Sequence, residues 1–264
     1  MKKFFQYRWK SQRGQLLLLL LITLGMGVGA AALFVPPGEG VKGGLEQVRL
    51  QAPALANLLN MRLFILPGDH LVSLLFGLLL PLSSLWYVNS AAARLQARPL
   101  YTGEIIWLVN APRAKGLVVL THYAIILVGV LAQYALLAFS AWAGRFLFPA
   151  WRVDMLPLLR VCLGAFLLMG LPAGAAVLAA ALSRDGRMPR LVPVLMLLFF
   201  ILRMAANLGG SAAWLQYLTP FTLFDVWGVL RGQPGSLLLT LVPFAAGGLL
   251  AVLGAAIFAR RDLS

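Results

Sequence analysis

Apolar segments long enough to cross a bilayer recur along the whole chain, and Lys and Arg gather in alternate gaps between them. This pattern constrains the fold more than any other feature. About 20 consecutive apolar residues span roughly 30 Å of hydrocarbon, and basic loops are retained on the cytoplasmic side. A chain so patterned is an all-α integral membrane protein that threads the lipid repeatedly. Its mean hydropathy of +0.88 and charged fraction of 11% lie far from the norms of water-soluble domains. The formal net charge of +14 is therefore read as a basic rim facing anionic headgroups rather than as a nucleic-acid surface.

Hydropathy places six spans at Leu16–Val35, Leu71–Ser90, Leu117–Ser140, Leu156–Leu182, Leu191–Asn207 and Leu237–Phe258. Residues 57–70 are expected either to form an interfacial helix or to lengthen the second span. On the inner side this topology puts Lys2, Lys3, Arg8, Lys10 and Arg13, then Arg94, Arg98, Arg113 and Lys115. Arg184, Arg187, Arg190, Arg260 and Arg261 complete that set of 14. Only Lys42, Arg49, Arg62, Arg145, Arg152 and Arg231, a set of six, fall outside, while Arg160 and Arg203 lie in or beside spans. The bias puts both termini in the cytoplasm and makes the whole chain a single transmembrane domain.

Ahead of the first run, Phe4, Phe5, Tyr7 and Trp9 alternate with Lys2, Lys3, Gln6, Lys10 and Arg13. At about 100° per residue the polar set gathers on one side, so residues 2–14 are expected to lie as an amphipathic helix in the inner headgroup layer. An unstructured basic tail is the alternative. The small residues Ala30–Ala32 also suggest a signal-peptidase site, but the apolar run exceeds a signal's core and continues to Val35, so the segment is expected to stay as a span.

Motifs of catalysis are missing from the sequence. It contains no G-x-x-x-x-G-K-[ST] to cradle nucleotide phosphates, no G-x-S-x-G and no H-E-x-x-H. The eight acids are scattered, and none falls at the centre of an expected span, where a coupled transporter keeps its ionisable groups. The single cysteine, Cys162, excludes an intrachain disulfide and reads as a small buried hydrophobe. An integral-membrane enzyme built on Asp69-His70 or His122 is disfavoured, because adjacent residues on a helix face different ways. Neither a metal nor any other cofactor is expected on this chain.

Three segments carry more information. Residues 89–116 form the longest inner loop, where Thr102 is placed to cap a short helix over Glu104–Leu108 and Pro112 to end it. Such a helix suits docking of a soluble partner, or else rests on the membrane surface without one. Residues 208–236 are too aromatic for an ordinary loop and too broken by Pro220 and Pro234 to span, so interfacial or re-entrant helices are expected, with Asp225 as a local cap. Arg203 is expected to snorkel to the outer interface, the alternative being a polar cavity shared with Asn207. The spacings Gly25–Gly29 and Gly170–Gly174 would let helices approach closely.

In this order the elements resemble the ABC-2 (type-2 exporter) ABC transporter permease family. Lys2-Lys3-Phe4-Phe5 with Arg8-Trp9-Lys10 resembles its elbow helix, and Tyr101-Thr102-Gly103-Glu104 through Trp107, Leu108, Pro112 and Arg113 resembles its coupling segment. Leu218-Thr219-Pro220-Phe221-Thr222 with Asp225 is similar to its outer stretch before the last span, and Phe258-Ala259-Arg260-Arg261-Asp262-Leu263 to its basic ending. Tyr101 stands where the family keeps an acid, leaving Glu104 as the loop's only carboxylate.

The resemblance implies a permease subunit in a bacterial cytoplasmic membrane that exports a substrate. Its partners would be a second permease, identical or not, two cytosolic ATPase subunits that bind ATP and magnesium, and the surrounding lipid. Thr102, Gly103, Glu104, Trp107, Leu108, Pro112, Arg113 and Lys115 would then couple to the ATPase. A related permease serving envelope-protein maturation or regulation is the runner-up, and a secondary transporter is a third reading. No substrate-binding constellation can be picked out. Topology reporters fused at the two ends should both read as cytoplasmic, and one inserted after Arg152 should read as external; ends on opposite faces would refute the six-span arrangement.

Overall fold

A computed structural model describes residues 2–34, 50–61, 66–97, 112–183 and 188–260, with side chains over 9–34, 50–61, 66–95, 115–183 and 191–260. All regular structure among the described residues is helical. In order come α1 (Lys2–Ala32), the short α2 (Pro53–Leu58), α3 (Pro67–Leu95) and α4 (Pro112–Leu147). Next are α5 (Met155–Leu168), α6 (Gly170–Leu182), α7 (Met188–Ala206), α8 (Val226–Leu230) and α9 (Leu241–Ala259), with 3₁₀ segments at Gly210–Leu218, Pro220–Leu223 and Leu238–Thr240.

Five stretches are long and apolar enough to cross a membrane: Trp9–Ala32, Pro67–Leu95, Lys115–Leu147, Met155–Leu182 and Leu238–Ala259. The chain is thus a multi-pass helical membrane protein. Helices answer the bilayer's first demand, that every peptide N–H and C=O find a partner inside the segment. The expected fifth span appears as Leu191–Ala206, whose apolar length is only 16 residues. At 1.5 Å per residue that is about 24 Å, short of the ~30 Å hydrocarbon layer. Its end is followed by Gly209, whose φ of 75° a right-handed helix cannot hold.

The structure departs from the sequence reading at the N-terminus. No turn separates an in-plane helix over 2–14 from the first span, and α1 runs unbroken for 31 residues. Gln12, Leu16, Leu19, Thr23, Gly27 and Ala30 are all buried, at spacings of three and four that form one face. Gly14 alone costs about 1 kcal/mol relative to alanine, too little to interrupt a helix that packs continuously on either side of it. The Gln12 amide is tied to the Ala91 carbonyl of α3 at 3.4 Å, which fixes α1 against α3 at that level.

Two prolines shape the spans. Pro81 cannot donate to the carbonyl of Gly77, and its ring crowds that carbonyl. The turns just before it, Val72–Leu79, are widened to π geometry, with Leu80 N–H reaching back to Leu75. Pro172 likewise deprives Leu168 of a donor, and the fourth span breaks there: Met169, at ψ −10°, turns its N–H to Phe166 at 3.1 Å and separates α5 from α6. Residues 57–70 resolve into the end of α2, a left-handed turn at Asn60 with φ 56°, and the beginning of α3 at Pro67; residues 62–65 lie outside the described set.

Helix α6 is the hub, packing on α3, α4, α7 and α9. In the most apolar 18 residues of the α5–α6 span 72% are buried, against 28% in those of the α1 span, whose remaining surface faces outward. The tightest crossing joins α6 to α9. A Cβ on Gly174 would overlap the backbone of Gly247, one on Gly247 the backbone of Gly170, and one on Gly170 the ring of Phe244. The Gly170–Gly174 spacing is thus a true interface, while Gly25 and Gly29 meet nothing within 4 Å and Gly27 between them packs on Ser140 of α4. Gly174→Ala and Gly247→Ala should each destabilise the fold by about 1–3 kcal/mol through overpacking. Gly248→Ala, with nothing within 4 Å, should be neutral or stabilising by up to about 1 kcal/mol; reversible unfolding in detergent or bicelles measures all three.

Candidate functional site

Between α3 and α4, midway along both spans, four polar side chains meet in an otherwise apolar interior. Ser84 places its Oγ 2.9 Å from Gln133 Oε1 and 3.1 Å from the Tyr134 hydroxyl. Gln133 Nε2 donates to Ser83 Oγ at 2.9 Å. Ser84 is also 2.8 Å from the Leu80 carbonyl one turn back. Ser84, Gln133 and Tyr134 are all buried, and Phe76 stacks on the Tyr134 ring with centroids 6.4 Å apart. An amide and three hydroxyls so enclosed must satisfy one another, since hydrocarbon offers no alternative partner. The network ties α4 to α3 without a charge.

The same seam continues along α3. Tyr87 is fully buried beside Gly129 of α4, where a Cβ would overlap its hydroxyl. That hydroxyl has no hydrogen-bond partner among the described residues, and neither does the Tyr123 hydroxyl. His122 is completely buried on α4. Adjacent Ser83-Ser84 and Gln133-Tyr134 inside otherwise apolar runs are the sequence signal for this seam, which a search confined to charges and named motifs passes over.

A second polar cluster lies at the C-terminal end of α7. Arg203 is 7% exposed and turns inward, its Nη2 donating to the Phe224 carbonyl at 3.3 Å, with the Asp225 charge close enough to be felt. The expected snorkelling is overturned, and the alternative cavity is only partly right, because Asn207 points elsewhere and donates to the Leu58 carbonyl at 3.3 Å. Asp225 serves as the expected cap: its Oδ1 accepts from Trp227 N–H at 3.2 Å at the start of α8. The Trp227 indole N–H donates to the Asn60 carbonyl at 2.9 Å. Residues 57–61, 203–207 and 219–230 are thereby drawn together around the buried Arg203.

Of the residues expected to couple to an ATPase, Thr102, Gly103, Glu104, Trp107 and Leu108 lie outside the described residues. Pro112 is the first described residue of α4. Arg113 and Lys115 fall in the same turn, and Lys115 is half-buried. The described part of the span-three helix already includes Pro112, five residues before its hydropathy suggests. Asp69 caps α3 through a 3.4 Å bond from Leu66 N–H, and His70 packs edge-on to Phe34 at 5.5 Å. Cys162 is buried, as expected of a small hydrophobe. No group of three or more His, Cys, Asp or Glu side chains able to hold a metal occurs among the described residues.

Comparison of the chain with known protein families, with curated proteins and with solved structures finds no match. The seam itself makes the testable statement. Gln133→Leu should destabilise the protein by about 1–2 kcal/mol, the scale of interhelical hydrogen bonds in membranes, by removing the amide that joins α4 to Ser83 and Ser84. Tyr87→Phe should be neutral or stabilising, because it removes a buried hydroxyl without a partner. Unfolding of the two variants side by side checks both.

Proposed function

We propose that this chain is the membrane-spanning permease subunit of an ATP-driven ABC exporter of the type-2 class. It would cross a bacterial cytoplasmic membrane six times with both tails inside. A second permease and two cytosolic ATPase subunits, which bring ATP and magnesium, would complete the transporter. The observation that carries this reading is the ordered set of four sequence segments, each on the side of the membrane that the charge bias assigns to it. The lack of a P-loop accords with an energy source on another subunit.

The geometry of α4 supplies a mechanism. Residues 101–111 lead directly into Pro112, the first described residue of a 36-residue helix about 54 Å long at 1.5 Å per residue. A push on the Thr102–Leu108 segment by a closing ATPase dimer would act on the base of a rigid lever. Arg113, Lys115 and Glu104 would meet the ATPase, while Trp107 and Leu108 would seat the segment against the membrane domain. Along its length α4 packs on α1, α3, α5, α6 and α9, so tilting it moves most of the bundle. The polar bridge from Gln133 and Tyr134 to Ser84 makes α3 follow. Substrate would then pass outward between two such permeases.

Replacing Trp107 by Ala and Arg113 by Glu should leave the protein in the membrane and the ATPase active, but lower transport at least about tenfold, a loss of 1.4 kcal/mol of coupling. Reconstituted vesicles containing the permease and its ATPase measure both activities in one preparation. Full transport by the variants, or transport by the purified chain without an ATPase, would refute the proposal.

A further inference from the structure

A pocket that the transport cycle does not use lies at the C-terminal end of α4. Trp142, Arg145 and Phe146 occupy one face of its last turns, at the spacing of three and four that makes helical side chains neighbours. The chain then doubles back through Pro149, and Arg152 and Val153 close the facing wall over Ala141. The cavity between them measures about 480 Å³, within the range of small-molecule sites.

The return is anchored. Trp151 is completely buried, and its indole N–H donates to the Ala141 carbonyl at 3.0 Å. Its ring meets Phe34 and His70 edge-on, with centroids 5.6 and 6.2 Å away, and the absence of a side chain on Gly144 leaves room for it. Phe148 N–H donates to the Gly144 carbonyl and Trp151 N–H to the Phe148 carbonyl, both at 2.9 Å. The walls are therefore set by a buried side chain rather than by a loose loop.

Charge and depth then select the occupant. The Arg145 guanidinium lies 4.8 Å from the ring centroids of both Trp142 and Phe146, which orient it without neutralising it. Arg145 and Arg152 are both exposed, and neither pairs with a carboxylate among the described residues. The apolar stretch Lys115–Leu147 has 33 residues. It extends about 50 Å at 1.5 Å per residue, so its ends reach the headgroup layers of a membrane about 40–45 Å thick overall. What lies at that depth is lipid phosphate, and a paired guanidinium site with aromatic walls fits a phosphodiester that carries acyl chains.

We propose that this pocket docks the headgroup of an anionic phospholipid, its phosphate held between Arg145 and Arg152 and its chains descending along Trp142 and Phe146. The full-length protein, delipidated in neutral detergent, is titrated with phosphatidylglycerol, phosphatidylcholine and inorganic phosphate, and native mass spectrometry reads the bound species. Phosphatidylglycerol should bind at least about tenfold more tightly than phosphatidylcholine, in line with about 1 kcal/mol per basic side chain at an anionic surface. The Arg145→Gln/Arg152→Gln double variant should lose that preference, while Arg231→Gln, at another exposed arginine, should keep it. On the unaltered protein, phosphatidylglycerol and not phosphatidylcholine should shield Arg145 and Arg152 from phenylglyoxal. Retained preference in the double variant, unshielded arginines, or inorganic phosphate that displaces the lipid at equal concentration would each overturn the proposal, the last by pointing to a free-anion site.

Discussion

Lipid removes the force that usually assembles helices. Acyl chains are as apolar as leucine, so two helices gain nothing from mere burial and must approach closely enough for dispersion and polar contacts to decide. In this protein the crossing of α6 and α9 meets that requirement, with Gly170 and Gly174 on one helix set against Gly247 on the other and backbone meeting backbone. Around that crossing the other spans find their places. Gly254 lets α9 approach Leu178 one to two turns further along, and Gly116 lets α4 approach Ala255, whose carbonyl a Cβ there would crowd. Leucines, by contrast, dominate the outward faces, as at Leu17, Leu21, Leu191 and Leu249.

Polar side chains supply the second kind of adhesion, and their two sites differ in chemistry. The seam of Ser83, Ser84, Gln133 and Tyr134 is neutral and internally satisfied, suited to joining two spans that move together. The knot around Arg203 holds a buried charge, and a guanidinium out of water persists only where carbonyls and a carboxylate compensate it. Phe224 and Asp225 provide this, and Trp227 and Asn207 lace the same region to the end of α2. The aromatic stretch over 208–236 is therefore bound into the bundle through its second half, whereas Trp214 and Tyr217 of its first half remain exposed.

Several local features follow from residue type and immediate neighbours. Asp225 beside an apolar five-residue run behaves as the cap its residue type favours. Cys162 is buried because its neighbours are apolar. Other features mislead for identifiable reasons. The alternating aromatics and lysines at the N-terminus carry an amphipathic signature, but a helix bends out of line only where something breaks it, and Gly14 alone does not. Gly25 and Gly29 match a packing motif as well as Gly170 and Gly174 do, yet only the latter pair faces a neighbour. Spacing specifies a shared helical face, and the direction of that face belongs to the bundle.

Arg203 shows the division most clearly. A lone arginine near the end of an apolar helix has a cheap route to water, and from the sequence that route looks favoured. Inward burial becomes the better state only once Phe224, 21 residues away, returns its carbonyl to within 3.3 Å. The amino-acid sequence alone determined that this is a helical membrane protein and roughly where its apolar helices run, because hydropathy and backbone hydrogen bonding act over neighbouring residues. Which glycines touch, which serines meet Gln133 and where the arginines point were decided by the tertiary structure, because each depends on atoms that only packing brings together.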